Sequence, residues 1–573
     1  MITSSSACSF RAAHRGASPS RGLAVLRLLV VLGLLAAVAW LPRRLQAQES
    51  FVRGDANVDA SVDLSDGVLI LQYLFQGGRQ LDCLDSGDAD DSGNLDLSDA
   101  VYDFNYLFLG GRPPPAPFAG CGEDPTADGL GCESYDLCDD KPPPPVKGGR
   151  NILVIISDDL GADSAACYGD AGAFAATPNI ESLCQSGVVF RNVWANPLCS
   201  PTRASMLTGR YGFRTGVGNL VNNNGGGLPN SEFTIPEALD ANPDLGYAHA
   251  CIGKWHLNDN SNGGNRHPNL AGFSHYSGGL RGAISDYNSW PKVVNGQRRN
   301  VTNYATTENV DDAIDWLNAR DGPWFLWLAF NAPHTPLHLP PEGLHSHDNL
   351  TGTAADIANR PREYFGAMIE AMDSEIGRLW AAIGPEMMAN TDVIYLGDNG
   401  TGRTNAPAGI STRSGKGSLY EGGIHVPLVI AGPSVADGGR EVEGLVDLTD
   451  IYATVVELAG GDMDSTLPAG VEVDSVSLLP YLVDPQAEDL RPWAFTQLLG
   501  EGGRPGNMNT RGNTIRDERY KLIRFLNDTE EFYDLQADPR ERSNLAAGAL
   551  VGDELARYEN LAAIMTDLLS SEE

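Results

Sequence analysis

Asn196 to Arg210 reads NPLCSPTRASMLTGR and sets one cysteine, Cys199, at the mouth of an expected helix. Ser200 is a helix-capping residue type and Pro201 suits a first turn, so free backbone N–H groups and the helix dipole favour an anion beside the thiol. Arg203 falls one turn further on and is expected to face the same place. Two other stretches are rich in oxygen ligands: SDDLG with Asp158 and Asp159, and LGDNG with Asp398 and Asn399. Three carboxylates and an amide oxygen suit a hard divalent cation, Ca²⁺ before Mg²⁺. Each feature is ordinary alone. A loop cysteine is usually a packed thiol or half a disulfide, and DD after a strand often only caps a helix.

The elements that must carry these groups alternate short apolar runs with amphipathic stretches, which predicts an α/β fold with a mostly parallel central sheet flanked by helices. NILVIIS (151–157), PWFLWLAF (323–330), DVIYLG (392–397) and HVPLVIAG (425–432) read as buried strands. The polar clusters SDDLG, NAPHTP and GDNG fall at or just beyond strand ends, where open α/β sheets gather their ligand sites. They are therefore expected to converge.

A chain of 573 residues exceeds one hydrophobic core, and its net charge of −35 argues against nucleic acid or an anionic membrane as the main partner. An anionic substrate must then be drawn in by local cations. The acid is concentrated in 51–140, which holds 19 Asp or Glu against 3 Arg. The apolar run Leu23 to Pro42, preceded by Arg-containing sequence and followed by LQA ending at Ala47, reads as an export signal (1–47), with an uncleaved anchor as the alternative. A secreted, cell-surface or periplasmic location in a bacterium is expected. Cys83, Cys121, Cys132 and Cys138 form an even set that fits two disulfides of undetermined pairing. Cys167, Cys184, Cys199 and Cys251 lie in the larger region.

Residues 55–79 and 88–112 repeat with a period of 33. Asp55, Asn57, Asp59, Asp63 and Asp66 in the first copy, and Asp88, Asp90, Ser92, Asp96 and Asp99 in the second, fall at loop positions 1, 3, 5, 9 and 12. That spacing turns hard oxygen ligands around one Ca²⁺. A short apolar helix follows each loop. The pattern resembles a dockerin-type, EF-hand-like helical module (51–140), which implies a cohesin-like or surface scaffold partner. The first loop has Ala60 where the second keeps Gly93, so its site is expected to be weaker. KPPPPVKGG (141–149) reads as an extended linker.

Across residues 150–573 the matches accumulate in order: ILVIISDDLG, TPNIESLCQSGVVFRN, LCSPTRASMLTGR, GKWHL, NAPHTP, LGDNG, GKGSLYEGGIHVPLVI, ERYKLIRF and FYDLQADPRERSNL. This region resembles a type I sulfatase of the alkaline-phosphatase-like superfamily. The resemblance implies a catalytic domain (150–490) and a smaller C-terminal antiparallel sheet with a helix (491–573). It also implies that a maturation enzyme oxidises Cys199 to formylglycine. Hydrated, that residue offers one hydroxyl to attack sulfur and a second to expel sulfate. Asp158, Asp159, Asp398 and Asn399, with the residue made from Cys199, would hold Ca²⁺, and Arg203 would support the nucleophile. Lys254 would hold a sulfate oxygen and His256 would serve the diol. His334 would protonate the leaving alcohol, and Lys416 would bind sulfate.

The substrate implied is a sulfated small molecule or glycan. The same nucleophile could serve a phosphonate or phosphate monoester hydrolase, and an unmatured Cys199 would leave a glycan-binding protein. With Cys199 consumed, at least one of Cys167, Cys184 and Cys251 must stay free unless it pairs elsewhere. His425 stands where relatives carry Arg and is expected to alter contacts behind Lys416. His338 is expected either to line the substrate mouth or to lie on the surface.

Overall fold

The computed structural model describes residues 149–570 apart from 169–174, 406–413 and 501–506, and much of 51–135. It divides into two compact units, Met1–Asp140 and Lys141–Glu573. The export signal, most of the linker, Asp59, Asp63, Cys121 and Cys138 lie outside the described residues. Among the described residues, no helix is long and apolar enough to cross a membrane.

In the smaller unit, helices Leu64–Gln76 and Leu97–Leu109 each follow one of the two acidic loops. In the second loop, carboxylate oxygens of Asp88, Asp90 and Asp99 come within 4.8 Å of one another. Ser92 N and Gly93 N donate to Asp88 at 3.0 and 2.8 Å, the turn a ligand loop needs. Asp96 is engaged differently: its Oδ1 accepts from both Ser98 N and Ser98 Oγ at 2.7 Å, capping the helix that follows. In the first loop Tyr135 donates to Asp55 at 2.6 Å, and Asn57 N donates to Asp66 at 3.1 Å. Cys83 is bonded to Cys132.

The larger unit is built on ten strands: β1 Asn151–Ser157, β2 Val188–Trp194, β3 Ala248–Gly253, β4 His275–Gly278, β5 Trp290–Val294, β6 Gln297–Val301, β7 Trp324–Ala329, β8 Thr391–Gly397, β9 Leu428–Ala431 and β10 Arg440–Asp447. Their spatial order is β10-β2-β9-β8-β1-β7-β3-β4-β5-β6. The centre, from β8 through β1 and β7 to β3 and β4, is parallel. β9 runs antiparallel to both of its neighbours, and β5 and β6 form an antiparallel edge. The hairpin between them turns on Asn295-Gly296, both at positive φ, as a two-residue turn requires.

Why the central strands read as unbroken apolar runs is clear from β1. Ile152, Val154 and Ile156 enter one buried cluster, and Leu153 and Ile155 enter the other. The first cluster packs against helices Cys199–Thr208, Ile235–Asp240 and Ile451–Leu458; the second packs against Pro178–Ser186, Ala305–Leu317 and Pro361–Ala389. A strand covered on both faces has no use for polar alternation. Cys167 is bonded to Cys184, while Cys199 and Cys251 are free and buried.

Four further strands, β11 Ala494–Leu498, β12 Gly512–Arg516, β13 Tyr520–Phe525 and β14 Glu530–Asp534, make an antiparallel sheet in sequence order. Helix Asp553–Ser570 covers it through Leu561 and Met565. Lys521 on β13 is wholly buried. Its ammonium pairs with Glu421 at 2.9 Å and Glu541 at 2.7 Å, and lies 4.9 Å from the centre of the Trp194 ring. Removing one partner of such a cluster leaves buried charge uncompensated. Lys521→Met is expected to lower the stability of this unit by ~3–5 kcal/mol, read as a shift of its urea unfolding transition.

Candidate active site

Strand register brings three of the candidate positions, Asp158, Asp398 and Lys254, together. Ser157 pairs with Gly397, Ile156 with Ala329, and Gly253 with Ala329, so β1, β8, β7 and β3 end at one level. The residues immediately beyond are Asp158, Asp398, Phe330 and Lys254. Close approach at this edge demands glycine at 253. Its φ is +98°, and a Cβ there would lie 1.9 Å from the Ala329 carbonyl that accepts from Lys254 N at 2.7 Å.

Asp158, Asp398, Asn399 and Lys254 are all fully buried. Lys254 Nζ donates to Asp158 Oδ2 at 2.5 Å, and Lys416 Nζ, reaching in from the 414–418 turn, pairs with Asp159. Asp159 N donates to Asp398 Oδ1 at 3.2 Å, and Asn399 Nδ2 to Asp159 Oδ1 at 2.9 Å. Asp159 holds φ +69° and His256 φ +61°, a left-handed conformation that non-glycine residues adopt at a cost. The surrounding bonds hold them there.

Cys199 opens helix Cys199–Thr208, with Leu198 at the N-cap and every helical residue buried. Ser200 therefore does not cap the helix as expected; it lies inside the first turn. Its Oγ donates to the His256 carbonyl at 2.9 Å and accepts from Val221 N at 3.1 Å. Arg203 turns to Asp398 rather than to the thiol: Nε and Nη2 donate to Oδ2 at 3.0 and 2.8 Å, and Nη1 to the Lys254 carbonyl at 2.8 Å. Lys416 Nζ lies 3.4 Å from Cys199 Sγ.

The two histidines arrive on loops. His256 Nε2 lies 3.2 Å from the Val221 carbonyl, and Nδ1 is buried without a partner. Because a carbonyl only accepts, Nε2 carries the proton and Nδ1 presents a lone pair. His334 Nδ1 lies 2.7 Å from the Thr335 carbonyl, which points Nε2 toward Asp159 Oδ2 at 3.6 Å.

Burial governs the electrostatics. It pushes Asp158 up, aided by the neighbouring Asp398 and Asp159 and opposed by Lys254. Burial also acts on Asp159, but Lys416, His334 and Lys254 outweigh it and hold this carboxyl well below the usual range. The Cys199 thiol is pushed up to about 11 by burial despite Lys254 and Lys416, so it is not a thiolate at neutral pH. Burial, then Lys254 and Arg203, hold His256 far below its ordinary value, keeping the imidazole neutral. Asp159 keeps Lys416 charged against its own burial.

One ligand atom each from Asp158, Asp159, Cys199 and His334 lies within 4.8 Å of the others. Asp158 Oδ1 and Asn399 Oδ1 are buried without any hydrogen-bond donor. Two orphaned oxygens beside two further carboxylates fit a hard divalent cation.

Sequence reasoning missed three contributors. Ser200 joins the Cys199–Thr208 helix to the His256 turn. Gly282 lies so close to His256 that a Cβ there would sit 2.3–2.9 Å from three imidazole atoms. Tyr287 bonds the turn that carries His334. All three act across long separations that no local pattern reveals. His425 Nε2 bonds the Arg191 carbonyl at 2.8 Å and its ring packs on Tyr168. His338 is packed on Tyr287 and bonds Tyr304 Oη at 3.0 Å.

This sheet, with its antiparallel companion and its buried cluster of carboxylates and cations, defines an α/β protein of the alkaline-phosphatase-like class. Ps i-CgsB, solved in complex with k-i-k-neocarrahexaose, shares the fold at a TM-score of 0.61 and 24% identity over 73% of this chain and 92% of that one. The phosphonate monoester hydrolase of Agrobacterium radiobacter shares it at 0.56 and 21%, over 74% and 96%. Residues 150–461 match the sulfatase family, and 414–563 match the family described as N-sulphoglucosamine sulphohydrolase, C-terminal. The chain belongs to the sulfatase family. N-acetylgalactosamine-6-sulfatase of Homo sapiens is 29% identical over 376 residues, covering 59% of this chain and 67% of that protein; the Sus scrofa protein is 28% identical over 374 residues, covering 58% and 66%. The match thus spans about two thirds of these relatives' length.

Gly282→Ala is expected to displace the His256 ring while leaving the fold intact. A crystal structure of the variant reads the ring position, and an unmoved imidazole would contradict the close packing described above.

Proposed function

We propose that this chain hydrolyses sulfate esters of a glycan through a formylglycine made from Cys199. The observation that carries the reading is the convergence of Cys199 Sγ with Asp158, Asp159 and His334 within one 4.8 Å cluster, beside Lys416. A buried thiol pushed up to about 11 is poorly suited to act as a thiolate, which favours conversion over direct use.

Hydrated formylglycine at this position supplies a nucleophile with a second hydroxyl, so sulfate leaves as the aldehyde is restored and one water is consumed per ester. Asp158, Asp159, Asp398 and Asn399 would hold Ca²⁺, which supplies polarisation of the sulfate and a lower pKa for the nucleophile. Lys254 and Lys416 neutralise sulfate oxygens inside a chain whose overall charge of −35 would otherwise repel them. Arg203 ties Asp398 to the Lys254 carbonyl and so fixes the helix that presents residue 199. His256 Nδ1, bare and buried, takes the proton from the second hydroxyl, and His334 Nε2 delivers one to the departing alcohol.

The relatives named for N-acetylgalactosamine 6-sulfate chemistry and the neighbour bound to a neocarrahexaose support a sulfated glycan as substrate. In this reading 1–47 directs export, by way of a cleaved signal or an anchor. A maturation enzyme converts Cys199, and the 51–140 module binds Ca²⁺ in both loops to dock on a cohesin-like or surface scaffold.

Mass analysis of the tryptic peptide ending at Arg203 is expected to show the Cys199 sulfur replaced by a carbonyl oxygen. Cys199→Ala should lower sulfate release by roughly 10³-fold or more at unchanged fold. An unconverted thiol in active protein would sink the formylglycine mechanism. Faster turnover of phenylphosphonate esters than of sulfate esters would move the chain to phosphonate chemistry. Chelation should abolish activity and added Ca²⁺ restore it, whereas Asp158→Asn should resist restoration.

A further inference from the structure

One loop, 279–289 between β4 and β5, touches both histidines. Its first residues pair with the His256 segment: Trp255 N donates to the Gly279 carbonyl at 2.9 Å and His256 N to the Leu280 carbonyl at 3.3 Å, while Gly282 lies under the imidazole. Its far end carries Tyr287, 2% exposed, whose Oη lies 2.6 Å from the Asn331 carbonyl and 2.7 Å from the His334 carbonyl. Both partners only accept, so the single phenolic proton is shared between them. The turn from Asn331 to His334 also has two main-chain bonds, His334 N to the Asn331 carbonyl and Asp158 N to the Ala332 carbonyl, both at 3.0 Å. Among the described residues, Tyr287 is the side chain that bonds the main chain of this turn.

The phenol is itself held fast. Its ring lies against His338 at 4.2 Å between centroids, and its main-chain carbonyl accepts from Ala305 N at 2.8 Å, where helix Ala305–Leu317 begins. The hydroxyl is thus fixed from the helix layer and fixes the turn in its place.

We infer that Tyr287 is a positioning residue for His334, setting where Nε2 stands relative to the leaving oxygen. This rests on the hydrolase reading above. A proton donor matters in proportion to how poorly the alcohol leaves: a phenolate of low pKa departs unaided, whereas a sugar alkoxide does not. Loss of the Tyr287 hydroxyl therefore acts selectively. A general loosening of the fold would slow all esters alike.

The test is turnover of the full chain on a series of sulfate esters running from acidic phenols to sugar alcohols. Tyr287→Phe is expected to lower kcat on the sugar sulfate roughly tenfold, with KM little changed and the 4-nitrophenyl ester within about twofold. Replacing Tyr287 by 4-aminophenylalanine, which keeps an N–H donor at the same point, is expected to restore the sugar-ester rate. If the Phe variant does not fold, 4-fluorophenylalanine fills the same volume without donating and takes its place. Equal losses on both ester classes, or none on the sugar ester, overturn the assignment and leave the hydrolase reading standing. A wild-type chain that releases sulfate from neither class overturns the hydrolase reading and this assignment with it.

Discussion

Three carboxylates and two cations share one water-poor layer at the carboxyl edge of β1, β8, β7 and β3, with a third cation, Lys416, entering from the mouth. Burying an ion alone costs several kcal/mol, so each member is tolerable only because the others are placed against it. Arg203 answers Asp398, Lys254 answers Asp158, and Lys416 answers Asp159. Much of the surrounding structure follows. Arg203 can reach Asp398 only from a helix sunk wholly into the protein, which is why Cys199–Thr208 buries every residue although its sequence carries little apolar periodicity. The glycine at 253 lets Lys254 fold back over β7 rather than away from it.

The same arrangement acts on the Cys199 thiol. A helix N-terminus with two ammonium groups nearby ordinarily favours a thiolate. Here burial, with the carboxylates of Asp158 and Asp398 acting in the same direction, outweighs Lys254 and Lys416, so the thiol is held protonated. Local cations nevertheless leave this edge far less negative than the molecule as a whole. Residues 51–140 hold 19 of the chain's 75 acidic residues against 3 arginines, a denser excess of acid than the rest of the chain carries.

The sequence made strand ends legible and loop contacts opaque. NILVIIS coincides with β1 because a strand buried on both faces has to be an uninterrupted apolar run, and the DD and DN pairs beyond β1 and β8 then follow from register alone. Direction was less legible. HVPLVIAG contains β9, yet that strand is antiparallel to its neighbours, since nothing in a short apolar run encodes orientation. The Asn295-Gly296 hairpin carried a readable turn signal. Ser200 was misplaced by two helical positions, because a serine beside a helix start caps it in most settings, whereas here the cap is Leu198 and the hydroxyl serves the His256 turn. Gly282 and Tyr287 had no local signature at all.

The two ways of positioning a side chain divide the candidate chemistry between them. Asp158, Lys254 and Asp398 stand one residue beyond strands, where the hydrogen-bonded ladder fixes the backbone, while Arg203 is carried by a helix and Lys416 by a turn. The two histidines stand on loops, His256 three residues past β3 and His334 five past β7, where the ladder gives out: its last bonds run from His256 N to the Leu280 carbonyl and from Asp158 N to the Ala332 carbonyl. Both histidines are fixed instead by contacts borrowed from elsewhere: the Val221 carbonyl and Ser200 for His256, the phenol of Tyr287 for His334. Because 279–289 supplies contacts to both histidines, the two are linked through one loop, apart from the carboxylates that follow β1 and β8.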